Sequence, residues 1–189
     1  AGSPQYLSPI WCQGDDVDRD LCTLIYRGLT RIDKSGRVVP DLAASWTVDN
    51  DTTYTFKLNP NVKFQNVAPM NGAAMTSEDV VYSFKRAADP AMKFTGNTPG
   101  FVFSSLGYKD ARVVDDLTAE ISIAKYNPIA LGMVAEVYIH CKDSYEKMTK
   151  EQAAQKPIGS GPYKFVEWVR SDRIVIEKVP GFTLRPANF

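Results

Sequence analysis

Three times along the chain, alternating apolar and polar residues run into a short cluster of turn formers and then resume. Trp46 and Val48 lead into Asp49-Asn50-Asp51, and Tyr54, Phe56 and Leu58 follow. Residues 111–114 and 118–123 flank Asp115-Asp116, and residues 161–169 and 173–179 flank Ser171-Asp172. Alternation with a period of two across such a turn predicts an antiparallel hairpin with one buried and one wet face. Most strands therefore pair with a sequence neighbour, which excludes an ordinary doubly wound parallel sheet and points to an α/β, mixed α+β architecture.

Helical spacing fills the gaps between the hairpins. Val17, Leu21, Leu24 and Ile25 fall on one face of a predicted helix running to Leu29, with Asp15 and Asp16 placed to cap it and Gly28 near its end. Thr76-Ser77-Glu78-Asp79 has the form of a capping box, flanked by Met75 and Val80 as a hydrophobic staple. Val80, Val81, Phe84 and Ala88 continue as the buried stripe of a helix that stops before Asp89-Pro90. Residues 91–107 lack periodicity and read as a long irregular segment, the kind that often carries function. A short helix follows from Asn127-Pro128 to Ala135, then a strand over 137–141, and a polar helix over 143–154.

At 189 residues, 44% of them hydrophobic and 11% aromatic, the chain is too apolar to stay disordered, and its length suits one domain. No apolar run is long enough to cross a bilayer as a helix. The 22 basic and 22 acidic residues cancel, which argues against a sequence-blind electrostatic hold on nucleic acid or anionic lipid. Cys12, Cys22 and Cys141 are too few for a disulfide scaffold and lack the spacing of a zinc site. Either Cys12 and Cys22 form a bridge or they are free thiols, and Cys141 is the odd one. The N-terminus has no signal-peptide character, so either the protein is cytosolic or a leader has been removed.

His140 is the single histidine, and no nucleophile elbow accompanies it, since Gly159-Ser160-Gly161 falls short of that motif. One histidine with scattered carboxylates does not make a metal site, and no phosphate-binding glycine loop is present. The acidic pairs at 15–16, 49–51, 78–79 and 115–116 are each accounted for by a cap or a turn. No cofactor and no catalytic constellation is expected, which weighs against an enzyme. Trp11, Phe101, Phe103, Tyr138 and Trp168 are aromatic side chains suited to lining a recognition pocket.

In order along the chain, several segments together resemble one family. They are Gly2-Ser3-Pro4-Gln5-Tyr6-Leu7-Ser8-Pro9, Tyr26-Arg27-Gly28-Leu29-Thr30-Arg31-Ile32-Asp33 and Val39-Pro40-Asp41-Leu42-Ala43-Ala44-Ser45-Trp46. Tyr54-Thr55-Phe56-Lys57-Leu58, Val62-Lys63-Phe64 and the stretch from Met75 to Phe84 continue the series. It closes with Ile158-Gly159-Ser160-Gly161-Pro162-Tyr163-Lys164-Phe165, Trp168 and Arg173-Ile174-Val175-Ile176-Glu177. The set is similar to the extracytoplasmic solute-binding proteins of the dipeptide, oligopeptide and nickel type, which serve ABC importers. Residues 65–74 depart from the pattern, being longer than the family's usual turn there.

The resemblance implies lobe one of a two-lobed, periplasmic-binding-protein type II-like fold. Residues 1–39 would begin that lobe, 40–156 form an insertion subdomain, and 157–189 return to the lobe before a second lobe that this sequence lacks. It also implies an extracytoplasmic binder of peptides, or alternatively of nickel complexes or oligosaccharides, working with ABC importer membrane subunits. A sensory module of a regulator is the other reading. Cleft-facing positions would be the loop Trp11-Cys12-Gln13-Gly14, Phe101 and Phe103, and the stretch from Tyr138 to His140. Gln13 would hydrogen-bond a peptide main chain and the aromatics would cover its side chains.

Overall fold

A computed structural model of the chain describes Leu7, residues 16–89 and residues 99–182. The first two predicted hairpins form and merge into one sheet. Strands β3 (Ala43–Asp49) and β4 (Thr53–Leu58) make one hairpin, and β5 (Tyr108–Asp115) and β6 (Thr118–Ile123) the other. Pairing of β4 with β6 gives the order β3-β4-β6-β5, antiparallel throughout. The first turn works because Asn50 and Asp51 both adopt left-handed backbone, with φ of 50° and 59°; these short polar residues tolerate it better than most.

Register sets the buried face. Phe56 lies opposite Ala119, and Tyr54 opposite Ile121, which is in turn opposite Ala111. All five are buried. Helix α2 (Ser77–Ala88) crosses this face and inserts Val80 and Phe84 into it. Its start is fixed as the sequence predicts, with the Thr76 amide donating to Asp79 Oδ2 at 2.9 Å. The other oxygen, Oδ1, accepts from the Lys142 amide at 2.9 Å, so one carboxylate ties α2 to the chain 63 residues later. Burial is the largest influence on Asp79 and pushes its carboxyl above the usual range against these two hydrogen bonds.

Five elements differ from their sequence expectation. Helix α1 spans Asp16–Ile25 and does not reach Leu29, because the Ile25 carbonyl accepts from the Gly161 amide at 2.8 Å instead of continuing the helix. Within residues 91–107, Pro99–Leu106 forms helix α3, with proline at its first position. Residues 137–141 make no strand: Tyr138 forms an isolated bridge with Gly28, and the His140 amide is taken by Ser83 Oγ at 3.0 Å. The predicted polar helix divides into α5 (Lys142–Tyr145) and α6 (Lys150–Gln155), the second with its own capping box between Thr149 and Gln152. The helix expected from residue 127 is reduced to α4 (Ala130–Val134), since Asn127 Oδ1 accepts from the Ile129 amide at 3.1 Å and holds the chain in a turn.

Two further hairpins stand outside the main sheet. Strands β1 (Thr30–Ile32) and β2 (Val38–Pro40) enclose a turn organised by Asp33, whose Oδ1 accepts from the amides of Ser35 and Arg37. Strands β7 (Tyr163–Val169) and β8 (Arg173–Lys178) form the third predicted hairpin. Phe165 and Ile176 of this hairpin pack on a second small core of Cys22, Ile25, Tyr26 and Tyr138. Cys22 is disulfide-bonded to a partner outside the described residues, and Cys141 is a buried free thiol.

Candidate functional site

Of the six residues singled out as ligand-facing, Trp11 and Gln13 lie outside the described residues, as does the side chain of Phe101. The structure does not gather the other three into one open pocket. Phe103 is 6% exposed and sits edge-on to Phe84 and Tyr108, at ring separations of 5.8 and 5.0 Å. Tyr138 stacks on Tyr26 at 6.1 Å in the smaller core. His140 is enclosed between Tyr82 and Tyr145, with ring separations of 5.5 and 4.7 Å. Trp168 lies on β7 beneath the guanidinium of Arg170, 4.8 Å from the ring.

The chemistry of His140 follows from that enclosure. Burial, with the nearby Arg86 cation second, lowers its pKa to about 3, so the ring is neutral at any physiological pH. Its Nδ1 faces the Tyr138 carbonyl at 3.3 Å. Close by, Tyr26 and Tyr145 share a hydrogen bond of 2.9 Å, and the Tyr26 hydroxyl reaches the Leu7 carbonyl at 3.0 Å. Burial keeps both phenols protonated, raising each well above the ordinary tyrosine range. These neutral rings, with the Arg86 guanidinium 5.3 Å from the Tyr145 ring, form a buried cluster that ties the second core to Leu7. Among the described residues, no group of three or more His, Cys, Asp or Glu is placed to hold a metal ion.

The connection between the two cores is made by a residue that sequence reasoning did not single out. Gln65 is 3% exposed, and its amide group donates toward the carbonyls of Ile25, Gly161 and Tyr163 while accepting from the Gly159 amide at 3.2 Å. The Gln65 backbone amide adds a bond to the Gly159 carbonyl at 2.9 Å. Such close backbone approach needs glycine. A Cβ on Gly159 would collide with the Ile25 carbonyl, and one on Gly161 with that of Leu24. The pair of glycines around Ser160 was the legible signal; its meaning is contact with the end of α1, not a nucleophile.

Beside this seam lies a buried ion pair. Arg27 donates from Nε to Asp41 Oδ2 at 2.8 Å, and its Nη2 also contacts Asp41. Both side chains are nearly inaccessible, and the guanidinium lies 5.4 Å from the Phe182 ring. The pair therefore links the segment after α1, the segment before β3 and the segment after β8. Next to it, a groove of about 590 Å³ runs between residues 61–66 and the turn at 179–182. Desolvated, hydrogen-bonded charge at a junction of three segments fixes their relative placement, because separating the segments strands a buried charge.

Comparison with known proteins agrees with this architecture. A family model for bacterial extracellular solute-binding proteins, family 5 Middle, matches residues 37–189. The chain is 27% identical over 170 residues to the glutathione-binding protein GsiB of Pectobacterium atrosepticum, covering 89% of this chain and 31% of that protein. It is 30% identical over 168 residues to the dipeptide-binding protein DppE of Bacillus subtilis, covering 82% and 30%. Among solved structures, that of the PBP AgaA from A. tumefaciens R10 in complex with agropinic acid matches with a TM-score of 0.81. That match has 27% identity and covers 94% of this chain and 34% of that one. The chain thus spans about a third of the length of the relatives it matches. It belongs to family 5 of the bacterial extracellular solute-binding proteins.

Proposed function

We propose that this chain is the first-lobe part of a two-lobed binder that captures a peptide or a related small solute outside the cytoplasm. The binder then delivers the solute to the membrane subunits of an ABC importer. The observation that carries this reading is the family match over residues 37–189, together with relatives named for binding glutathione and dipeptides. Binding without turnover is the activity, and a second lobe supplies the other half of the contacts. Closure on a solute is favoured only by what the solute contacts in the closed state beyond the open one, so both lobes must touch it.

In this proposal residues 40–156 are an insertion subdomain between 1–39 and 157–189. Trp11, Gln13 and Phe101 are the positions proposed to contact the solute. Thermal-shift screening of a form extended to the length of its relatives, against dipeptides, glutathione, sugars and metal chelates, tests it. A peptide that raises the unfolding midpoint in a concentration-dependent way is the expected outcome. Unchanged affinity after Gln13→Ala and Phe101→Ala would remove those two contacts.

A further inference from the structure

The loop that carries Gln65 also holds the chain's single Asn-Gly pair, Asn71-Gly72. Asn71 is exposed, and both residues have left-handed backbone, with φ of 50° and 76°. The turn is shaped by the Asn71 amide donating to the Val67 carbonyl at 2.9 Å and the Ala73 amide to that of Met70 at 3.0 Å. The two groups that can react with each other are held less firmly. The Gly72 amide donates to the Gln65 carbonyl at 3.3 Å, and Asn71 Nδ2 to the Pro69 carbonyl at 3.4 Å, both beyond the usual range of about 2.7–3.2 Å. Exposed turns with bonds of this kind open at little cost in free energy. Gly72 has no Cβ to shield its nitrogen. Other asparagines lack this combination: Asn59 and Asn127 precede proline, which has no amide hydrogen, and Asn61 and Asn66 precede the branched valine.

We propose that Asn71-Gly72 is a site of spontaneous deamidation, and that its isoaspartyl product loosens the Gln65 seam between the two cores. Once the turn opens, the Gly72 nitrogen loses its proton and attacks Asn71 Cγ. The new N–Cγ bond closes a succinimide ring as the Cγ–Nδ2 bond breaks, and Nδ2 leaves as ammonia with that proton. Water then opens the ring. Addition at Cγ restores the main chain with an aspartate side chain, whereas addition at the main-chain carbonyl gives isoaspartate, whose backbone runs through Cγ and is one carbon longer. That extra carbon lies between residues tied to Gln65 on both sides: its carbonyl accepts from the amides of Val67 and Gly72, and the Phe64 amide donates to the Ala73 carbonyl at 2.9 Å. Lengthening the backbone there displaces Gln65, whose side chain accepts from the Gly159 amide. The reaction needs only water, so it stands or falls separately from solute capture.

Incubation of the 189-residue chain at mildly alkaline pH, followed by peptide mass mapping, tests the chemistry. The Asn71 peptide is expected to gain the mass of an amide-to-acid change at least about tenfold faster than any other asparagine peptide, a barrier lower by ~1.4 kcal/mol. Asn71→Gln, whose added methylene disfavours the ring, should not age at this peptide. Hydrogen exchange tests the consequence. The Gly159 amide should exchange faster in the isoaspartyl fraction than in the fresh chain, while fresh Asn71→Asp, with the charge but not the longer backbone, keeps the original rate. Comparable conversion at other asparagines, equal ageing of Asn71→Gln, or unchanged Gly159 exchange in the isoaspartyl fraction would each overturn it.

Discussion

Gln65 Nε2 lies 2.6 Å from the carbonyl oxygen of Tyr163, a hydrogen bond joining residues 98 positions apart. With its other bonds to Ile25, Gly159 and Gly161, this side chain holds the loop after β4, the end of α1 and the entry to β7 as one unit. Replacing it with an apolar side chain of similar size leaves several buried backbone groups without their partner. Gln65→Leu is therefore expected to lower stability by about 1–3 kcal/mol. The urea midpoint should fall with the slope unchanged; a loss below ~0.5 kcal/mol, the range of ordinary surface changes, would contradict the role assigned to Gln65.

Gly159, which bonds to that side chain, makes a sharper test when set against Gly36 in the β1–β2 turn. Gly36 has φ of 78° with open space around it, whereas Gly159 faces the Ile25 carbonyl where a Cβ would fall. Gly36→Ala should cost about 1 kcal/mol, the strain of a left-handed alanine. Gly159→Ala should cost about 3 kcal/mol or more, because backbone on both sides must move. Equal unfolding free energies for the two variants would show that the approach at Gly159 is not tight.

Much of the fold was legible because its signals are local. The hairpins around Asp49-Asn50-Asp51 and Asp115-Asp116 carry alternation and turn chemistry in adjacent residues, and the Thr76 cap sits within four residues. The seam was not legible: nothing near Gln65 in sequence announces that its partners are at 25, 159, 161 and 163. Helix α3 escaped detection because Pro99–Leu106 is apolar nearly all round, leaving no contrast from which to read a period. At residues 137–141 an apolar run resembles a strand, but its hydrogen bonds go to Arg27, Gly28 and the Ser83 side chain, with no sheet alongside. As for the candidate site, the family resemblance was readable from ordered motifs, while burial of Phe103 and His140 depends on contacts with Phe84 and Tyr145 that no local pattern encodes.

Acid should act through His140. Its folded pKa of about 3 is below the unfolded value of 6.5, so between these pH values the unfolded chain binds a proton that the fold refuses. The stability this neutral ring retains is complete above pH 6.5 and is lost on acidification towards pH 3, at about 1.4 kcal/mol per pH unit. His140→Leu removes that titration. Unfolding free energies between pH 6.5 and 4.5 should fall less steeply for the variant than for the parent chain; parallel slopes would contradict the buried, neutral assignment.

The Arg27–Asp41 pair should behave as a coupled unit. Arg27→Met strands a buried carboxylate, and Asp41→Leu a buried guanidinium, so each single change is expected to cost about 3–5 kcal/mol. The double variant leaves no unpaired charge and should be more stable than either single one. Additive losses in a double-mutant cycle would mean that the two side chains do not depend on each other.

Isothermal titration of the dipeptide that gives the largest thermal shift, into the 189-residue chain and into a form extended to the length of its relatives, tests the two-lobed reading most directly. The extended form should bind at least about a hundredfold more tightly, ~2.7 kcal/mol, because only it supplies contacts from both sides. Equal affinity for the two forms would contradict capture between two lobes.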